Sequence, residues 1–190
     1  ESNTQPGMPK YKDLNGDGVI DTNDRTMIGR GLPIHTGGFT NNFEYKGFDL
    51  SVFFQWSYGN DVLNANRLFF DSGFQKKREL NQYASYTDRW TPENPNSNIP
   101  AATNSSSNLV ISSRVVEDAS FLRLKTVTLG YTVPKTFLKK YKIDNARLYV
   151  AAQNLWTITG YSGYDPEVSI RSGGLTPGLD FSSYPRALSV

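Results

Sequence analysis

The architecture turns on the alternation in Phe48-Asp49-Leu50-Ser51-Val52-Phe53-Phe54-Gln55-Trp56-Ser57-Tyr58. Phe48, Leu50, Val52, Phe54 and Trp56 fall on every second position. Asp49, Ser51 and Gln55 lie between them, and Phe53 is the single exception. Successive side chains of a strand point to opposite faces, so this order gives one apolar face and one polar face. Just upstream, Thr36–Tyr45 and the dipeptide Lys46-Gly47 read as a partner strand and a tight hairpin turn. An unbroken apolar face ending in Trp suits two coverings. One is a second sheet in a β-sandwich; the other is lipid, with the aromatic at the membrane interface.

Outward from this hairpin, three more strands are expected. Ala119–Thr132 is stopped by Pro134, which cannot donate to a ladder. Simple alternation along it sets Leu122, Leu124, Thr126, Thr128 and Gly130 against Phe121, Arg123, Lys125, Val127, Leu129 and Tyr131. Ala146–Ile158 follows, and Tyr184–Val190 begins a fifth. The 59–118 stretch shows no sustained periodicity beyond a weak helical pattern over Leu63–Phe70, and reads as a long loop. Antiparallel neighbours place alternate connections at opposite ends. The two-residue turn and the 133–145 linker therefore share one end, and the long segments share the other. Short turns on one side and long loops on the other is the asymmetry of an outer-membrane barrel.

Composition agrees with strands joined by polar loops. Aromatics make up 13% of the 190 residues, yet mean hydropathy is −0.50. A net charge of +2 with intermixed signs offers nucleic acid no basic patch. With no cysteine, disulfides, thiolate catalysis and zinc–thiolate sites are excluded. No apolar run is long enough for a membrane helix, but a barrel strand needs only ~9–11 residues with one apolar face.

The sharpest chemical motif is Asp13-Leu14-Asn15-Gly16-Asp17-Gly18-Val19-Ile20-Asp21-Thr22-Asn23-Asp24. It fits a twelve-residue calcium loop of the EF-hand type. Asp13, Asn15, Asp17, Asp21 and Asp24 supply oxygens, Val19 its backbone carbonyl, and Gly18 the sharp turn. Ca²⁺ wants six to eight hard oxygens, and this spacing curls carboxylates around a point. Ile20 is expected to point inward as an anchor. The last position carries Asp24 where Glu is usual, and flanking helices are missing. The expected role is a structural Ca²⁺; the alternative is an ion-free cluster of Asx and glycine turns.

Catalysis finds little support. His35 is the only histidine, and no nucleophile elbow, zinc-protease or phosphate-loop motif occurs. Asp165 and Glu167 could be offered as a glycosidase pair, but two residues apart around Pro166 they are expected to shape their loop. Trp90, Tyr161 and Tyr164 are candidate ligand platforms, because sugar C–H faces stack on aromatic rings; packing within their own loops is the competing role.

Taken together, YKDLNGDGVIDTNDRTMIG, GGFTNNFEYKGFDLSVFFQWSYGN, ASFLRLKTVTLGYTVP and ARLYVAAQNLWTITGYSGYDPE resemble the C-terminal region of SusC/RagA-type TonB-dependent outer-membrane transporters. The resemblance implies an all-β fold: antiparallel strands of an outer-membrane β-barrel, present as a C-terminal fragment with long outer loops. Residues 1–35 would be the calcium-like outer loop and 36–190 the strands and loops of the barrel, the plug domain being absent. It also implies partners: the rest of the barrel and plug, TonB, a SusD-like surface lipoprotein, outer-membrane lipid, and a glycan or peptide to import. The alternative is a soluble, calcium-stabilised β-sandwich that binds carbohydrate.

Overall fold

The computed structural model describes residues 4–74, 81–104, 106–167 and 178–180. The chain divides into two compact units, one made of 1–31, 61–117 and 168–183, the other of 32–60, 118–167 and 184–190.

The second unit is a four-stranded antiparallel sheet. In chain order its strands are β1 (His35–Tyr45), β2 (Phe48–Tyr58), β5 (Phe121–Thr132) and β6 (Arg147–Thr159). They lie side by side in that order. The β1–β2 hairpin is in register from Tyr45↔Phe48 to His35↔Tyr58. Its turn needs positive φ at both central residues, and Lys46 (φ 46) and Gly47 (φ 87) supply it. The 133–146 connection at the same end holds the short helix α2 (Lys135–Leu138) and a 3₁₀ turn, Lys139–Tyr141. The expected strand at Tyr184–Val190 lies outside the described residues.

The simple alternation expected along β5 fails at one place. Phe53 pairs with Thr126 but Phe54 pairs with Leu124, so Lys125 is an extra residue in β5. A bulge of this kind shifts the phase by one. Leu122 and Leu124 therefore share a face with Val127, Leu129 and Tyr131. A second irregularity falls opposite, in β6, where Asn154 takes φ 54. Apart from Phe121, which lies on the polar face beside Arg123, the apparent scatter of large apolar residues over both sides of β5 is thus one continuous face interrupted by a bulge.

The first unit corrects the loop reading of 59–118. It contains β3 (Asp61–Asn64), α1 (Ala65–Phe70), β4 (Val116–Asp118) and β7 (Gly178–Asp180), with the three strands ordered β4-β3-β7. Strands β3 and β7 run parallel. The Asn64 side chain caps α1 by accepting from the Arg67 amide at 3.0 Å. Leu63, Leu68 and Val115 form a small core, with Leu109 and Val116 packed against it. Arg67 bridges Asp71 at 3.4 Å and Glu117 at 3.3 Å, tying the end of α1 to β4.

Candidate functional site

Register assigns every strand residue of the second unit to a face. Reading across β1, β2, β5 and β6 from the short-turn end, the apolar face begins with Tyr45, Phe48, Tyr131 and Leu148. Next come Phe43, Leu50, Leu129 and Val150, then Asn41, Val52, Val127 and Ala152. Phe39, Phe54, Leu124 and Trp156 follow, and the row of Gly37, Trp56, Leu122 and Ile158 closes the long-loop end. Aromatics gather toward the two ends and aliphatics fill the middle. Phe48 to Trp56 covers ~27 Å at ~3.4 Å per residue, or ~21 Å of height at a ~40° tilt.

None of these side chains is buried; exposure reaches 70% at Tyr45 and at Leu148. A β-sandwich would cover this face with another sheet to give a dry core. The face stays open, against the sandwich alternative. At the long-loop end the Trp56 indole donates to His35 Nδ1 at 3.1 Å, and the His35 ring stacks on Tyr58. His35, one position before the expected Thr36–Tyr45 strand, is the first residue of β1 and part of this aromatic edge.

The opposite face is polar and carries an ion cluster. Arg123 on β5 is 3% exposed and points among residues that neutralise it. It donates to Asp165 at 2.6 Å, to Glu167 at 2.5 Å and to the Thr157 hydroxyl at 3.1 Å. Lys125, the bulge residue, adds 3.3 Å to the same Glu167 carboxylate, and Gln55 on β2 donates to its other oxygen at 3.0 Å. A buried guanidinium is tolerated only when paired in this way. Asp165 also accepts from the Glu167 amide at 2.9 Å, closing the turn around Pro166. The two carboxylates therefore fasten the 160–167 loop onto the polar face, the loop-shaping role expected of them.

The three aromatic candidates differ in what they offer a ligand. Tyr161 is 6% exposed, its ring lying over Gly163. Tyr164 is 49% exposed. Trp90, in the first unit, is half-buried with its ring over Gly7, where an added Cβ would come within 2.7 Å of it.

In the 13–24 loop the carboxylates hold backbone amides. Asp13 accepts from Gly16 at 2.6 Å and Gly18 at 2.8 Å, and Asp17 from Val19 at 2.8 Å. Asp24 accepts from Leu14 at 2.8 Å and Asp21 at 2.9 Å, while Asp21 accepts from Asn23 at 2.7 Å. Asp21 and Asp24 form a reciprocal capping box on the Thr22–Asp24 turn. These amide bonds, chiefly from Asp21, pull the Asp24 carboxyl below its ordinary value. Gly18 takes φ 81, as the sixth position requires. Ile20 is exposed, contrary to its expected anchoring role. Among the described residues no three acidic or histidine side chains gather as a metal cluster.

No family model matches the chain. Curated relatives do. The chain is 40% identical over 187 residues to TonB-dependent receptor P3 of Formosa agariphila, an alignment covering 96% of this chain and 18% of that protein. It is 28% identical over 190 residues to TonB-dependent receptor SusC of Bacteroides thetaiotaomicron, covering 100% of this chain and 17% of that protein. Among solved structures, the RagAB peptide importer in its closed-closed state aligns with a TM-score of 0.72 at 27% identity, over 95% of this chain and 20% of that one. Its open-open state aligns at 0.71 and 28%, over 90% and 18%. The chain thus spans less than a fifth of the length of these curated relatives. With an antiparallel sheet that leaves one apolar face uncovered, matched over nearly its whole length by TonB-dependent receptors in sequence and by the RagAB importer in structure, the chain is similar to a β-barrel segment of the SusC/RagA-type TonB-dependent receptors.

Proposed function

We propose that the polypeptide carrying this segment is a TonB-dependent importer of glycans or peptides in the bacterial outer membrane. The observation that carries this reading is the uncovered apolar face backed by a polar one, in a chain whose relatives are TonB-dependent receptors. Within that reading the apolar face meets lipid and the polar face, with Arg123, lines the lumen. The Arg123 cluster fixes the 160–167 loop at the lumen wall, leaving the Tyr164 ring available to a passing sugar or side chain. Tyr161 and Trp90 support their own loops. A SusD-like lipoprotein and TonB are the proposed partners.

Ca²⁺ is the proposed occupant of the 13–24 loop, with Asp13, Asn15, Asp17, Val19, Asp21 and Asp24 as ligands. The twelve-residue spacing supports it, as does the chemistry of the donors: a carboxylate oxygen that accepts one amide keeps a further lone pair for a cation. Bound there, the ion would staple a surface loop.

The test is uptake by cells whose chromosomal copy of the full receptor is deleted. Loss of labelled oligosaccharide or oligopeptide uptake, restored by the full gene and abolished by collapsing the proton gradient, is the expected result. Unchanged uptake of every nutrient class would reject the importer reading.

A further inference from the structure

The short-turn end of the sheet carries a second feature that the barrel wall alone does not require. Between β5 and β6, α2 and the Lys139–Tyr141 turn expose Phe137 and Tyr141 at 70% and 69%, with Ile143 beside them at 47%. Only Leu138 turns in, at 7% exposure. The same segment presents Lys135, Lys139, Lys140 and Lys142, all exposed, and the β1–β2 turn adds Lys46. Acidic residues at this end are Glu44, Asp49 and Asp144, and Asp49 is taken by Arg147 at 2.5 Å. The end is therefore net basic.

We infer that this connection is a docking surface for anionic phospholipid headgroups, with Phe137 and Tyr141 entering the interface and the lysines gripping phosphate. Two observations select a lipid surface. The charge complements anionic headgroups and is interleaved with large apolar side chains, the composition of an interfacial anchor. The segment also continues directly from the Tyr45, Phe48, Tyr131 and Leu148 row of the apolar face, its ends joined by the Val133 amide donating to Ala146 at 3.0 Å. Long lysine side chains can lie along that boundary with their ammonium groups at the phosphates. The inference rests on the proposal that the apolar face meets lipid.

The test uses the full receptor. Purified in detergent and offered equimolar phosphatidylglycerol and phosphatidylcholine, it should retain the anionic lipid in about tenfold excess by native mass spectrometry. The fourfold variant K135Q/K139Q/K140Q/K142Q should bring that ratio close to one. In nanodiscs containing phosphatidylglycerol, a spin label at F137C on a cysteine-free background should be reached by oxygen and shielded from a water-soluble nickel chelate. An unchanged lipid ratio in the fourfold variant, or a label at 137 open to the chelate, overturns the inference. A label at V52C separates the two levels. If it is shielded while 137 is not, only the docking surface is lost; if it too is open to water, the lipid-facing wall falls with it.

Discussion

Arg147 on β6 reaches Asp49 on β2 across the whole width of β5, donating at 2.5 and 3.1 Å in a two-pronged contact. The strand between them offers Gly130 at that point, and a Cβ there would stand 2.5 Å from both side chains. Three strands are thus clasped on the polar face by one ion pair whose path depends on a missing side chain. Gly130→Val should displace the pair and lower stability only slightly, because the atoms it meets are the ends of two exposed, flexible side chains. Urea unfolding of the refolded full receptor measures this. Gly130→Val combined with Arg147→Ala should recover part of the loss, since the clash then has one partner fewer; no recovery would mean that the strain lies in the backbone.

Arg123 is buried against two carboxylates, and breaking such an arrangement leaves uncompensated charge, typically a loss of about 3–5 kcal/mol. Arg123→Ala should therefore release the 160–167 loop. Limited proteolysis should show new cleavage after Tyr161 or Tyr164, while Lys125→Ala, which removes only the more exposed 3.3 Å contact, should leave the loop resistant.

The face assignments make a paired prediction. Val52→Arg places a cation in the middle row of the apolar face, which for a lipid-facing site near the midplane costs about 2–4 kcal/mol. Thr128→Arg, on the polar face of the neighbouring strand, should be nearly neutral. Folding into lipid vesicles, followed by denaturant titration, distinguishes them. Equal effects would contradict the assignment.

For the 13–24 loop, terbium luminescence and calorimetry with Ca²⁺ should detect one site on the full receptor, abolished by Asp13→Asn with Asp17→Asn. Absence of any signal in the unsubstituted protein would leave the loop as a self-capped turn.

Acid should open the same loop in a defined direction. Asp24 has a carboxyl pKa lowered from 3.8 by its amide donors. A depressed folded value means that the closing contribution is present above the unfolded value and is lost as pH falls through the folded one. The Leu14 and Asp21 amide resonances should therefore hold their positions at pH 5 and move only below about 3.8. Movement already between pH 6 and 5 would assign the closure to another group.

The hairpin, its turn and the alternation of the three connections from β1 to β6 were legible in the sequence because each rests on a local rule: period two in Phe48–Tyr58, a Gly at the turn, a Pro after the strand. The phase of β5 was not. A bulge at Lys125 leaves no composition signature except apolar residues on both sides of a strict alternation, and that scatter was the available clue. The first unit was hidden for a different reason. Its core joins Leu63 and Leu68 to Val115, far apart along the chain, and the polar residues between them carry no period. Asp165 and Glu167 were visible as loop-shaping carboxylates, but their partner Arg123 looked like one more polar residue of a strand until β5 and the loop were brought together. The calcium spacing was plain, whereas the use of its oxygens as amide acceptors depends on backbone geometry that spacing does not encode.

Among the described strands, β1 and β6 each pair on one side only. Their outer margins are rows of donors and acceptors that hydrocarbon cannot satisfy. If the apolar face meets lipid as proposed, neither strand could settle in a bilayer until another strand pairs with its free margin, and insertion of this stretch would wait on that pairing. On that reading synthesis order, chaperoning in transit and the timing of seam closure would become properties on which this sheet depends, even though none of them is written within it.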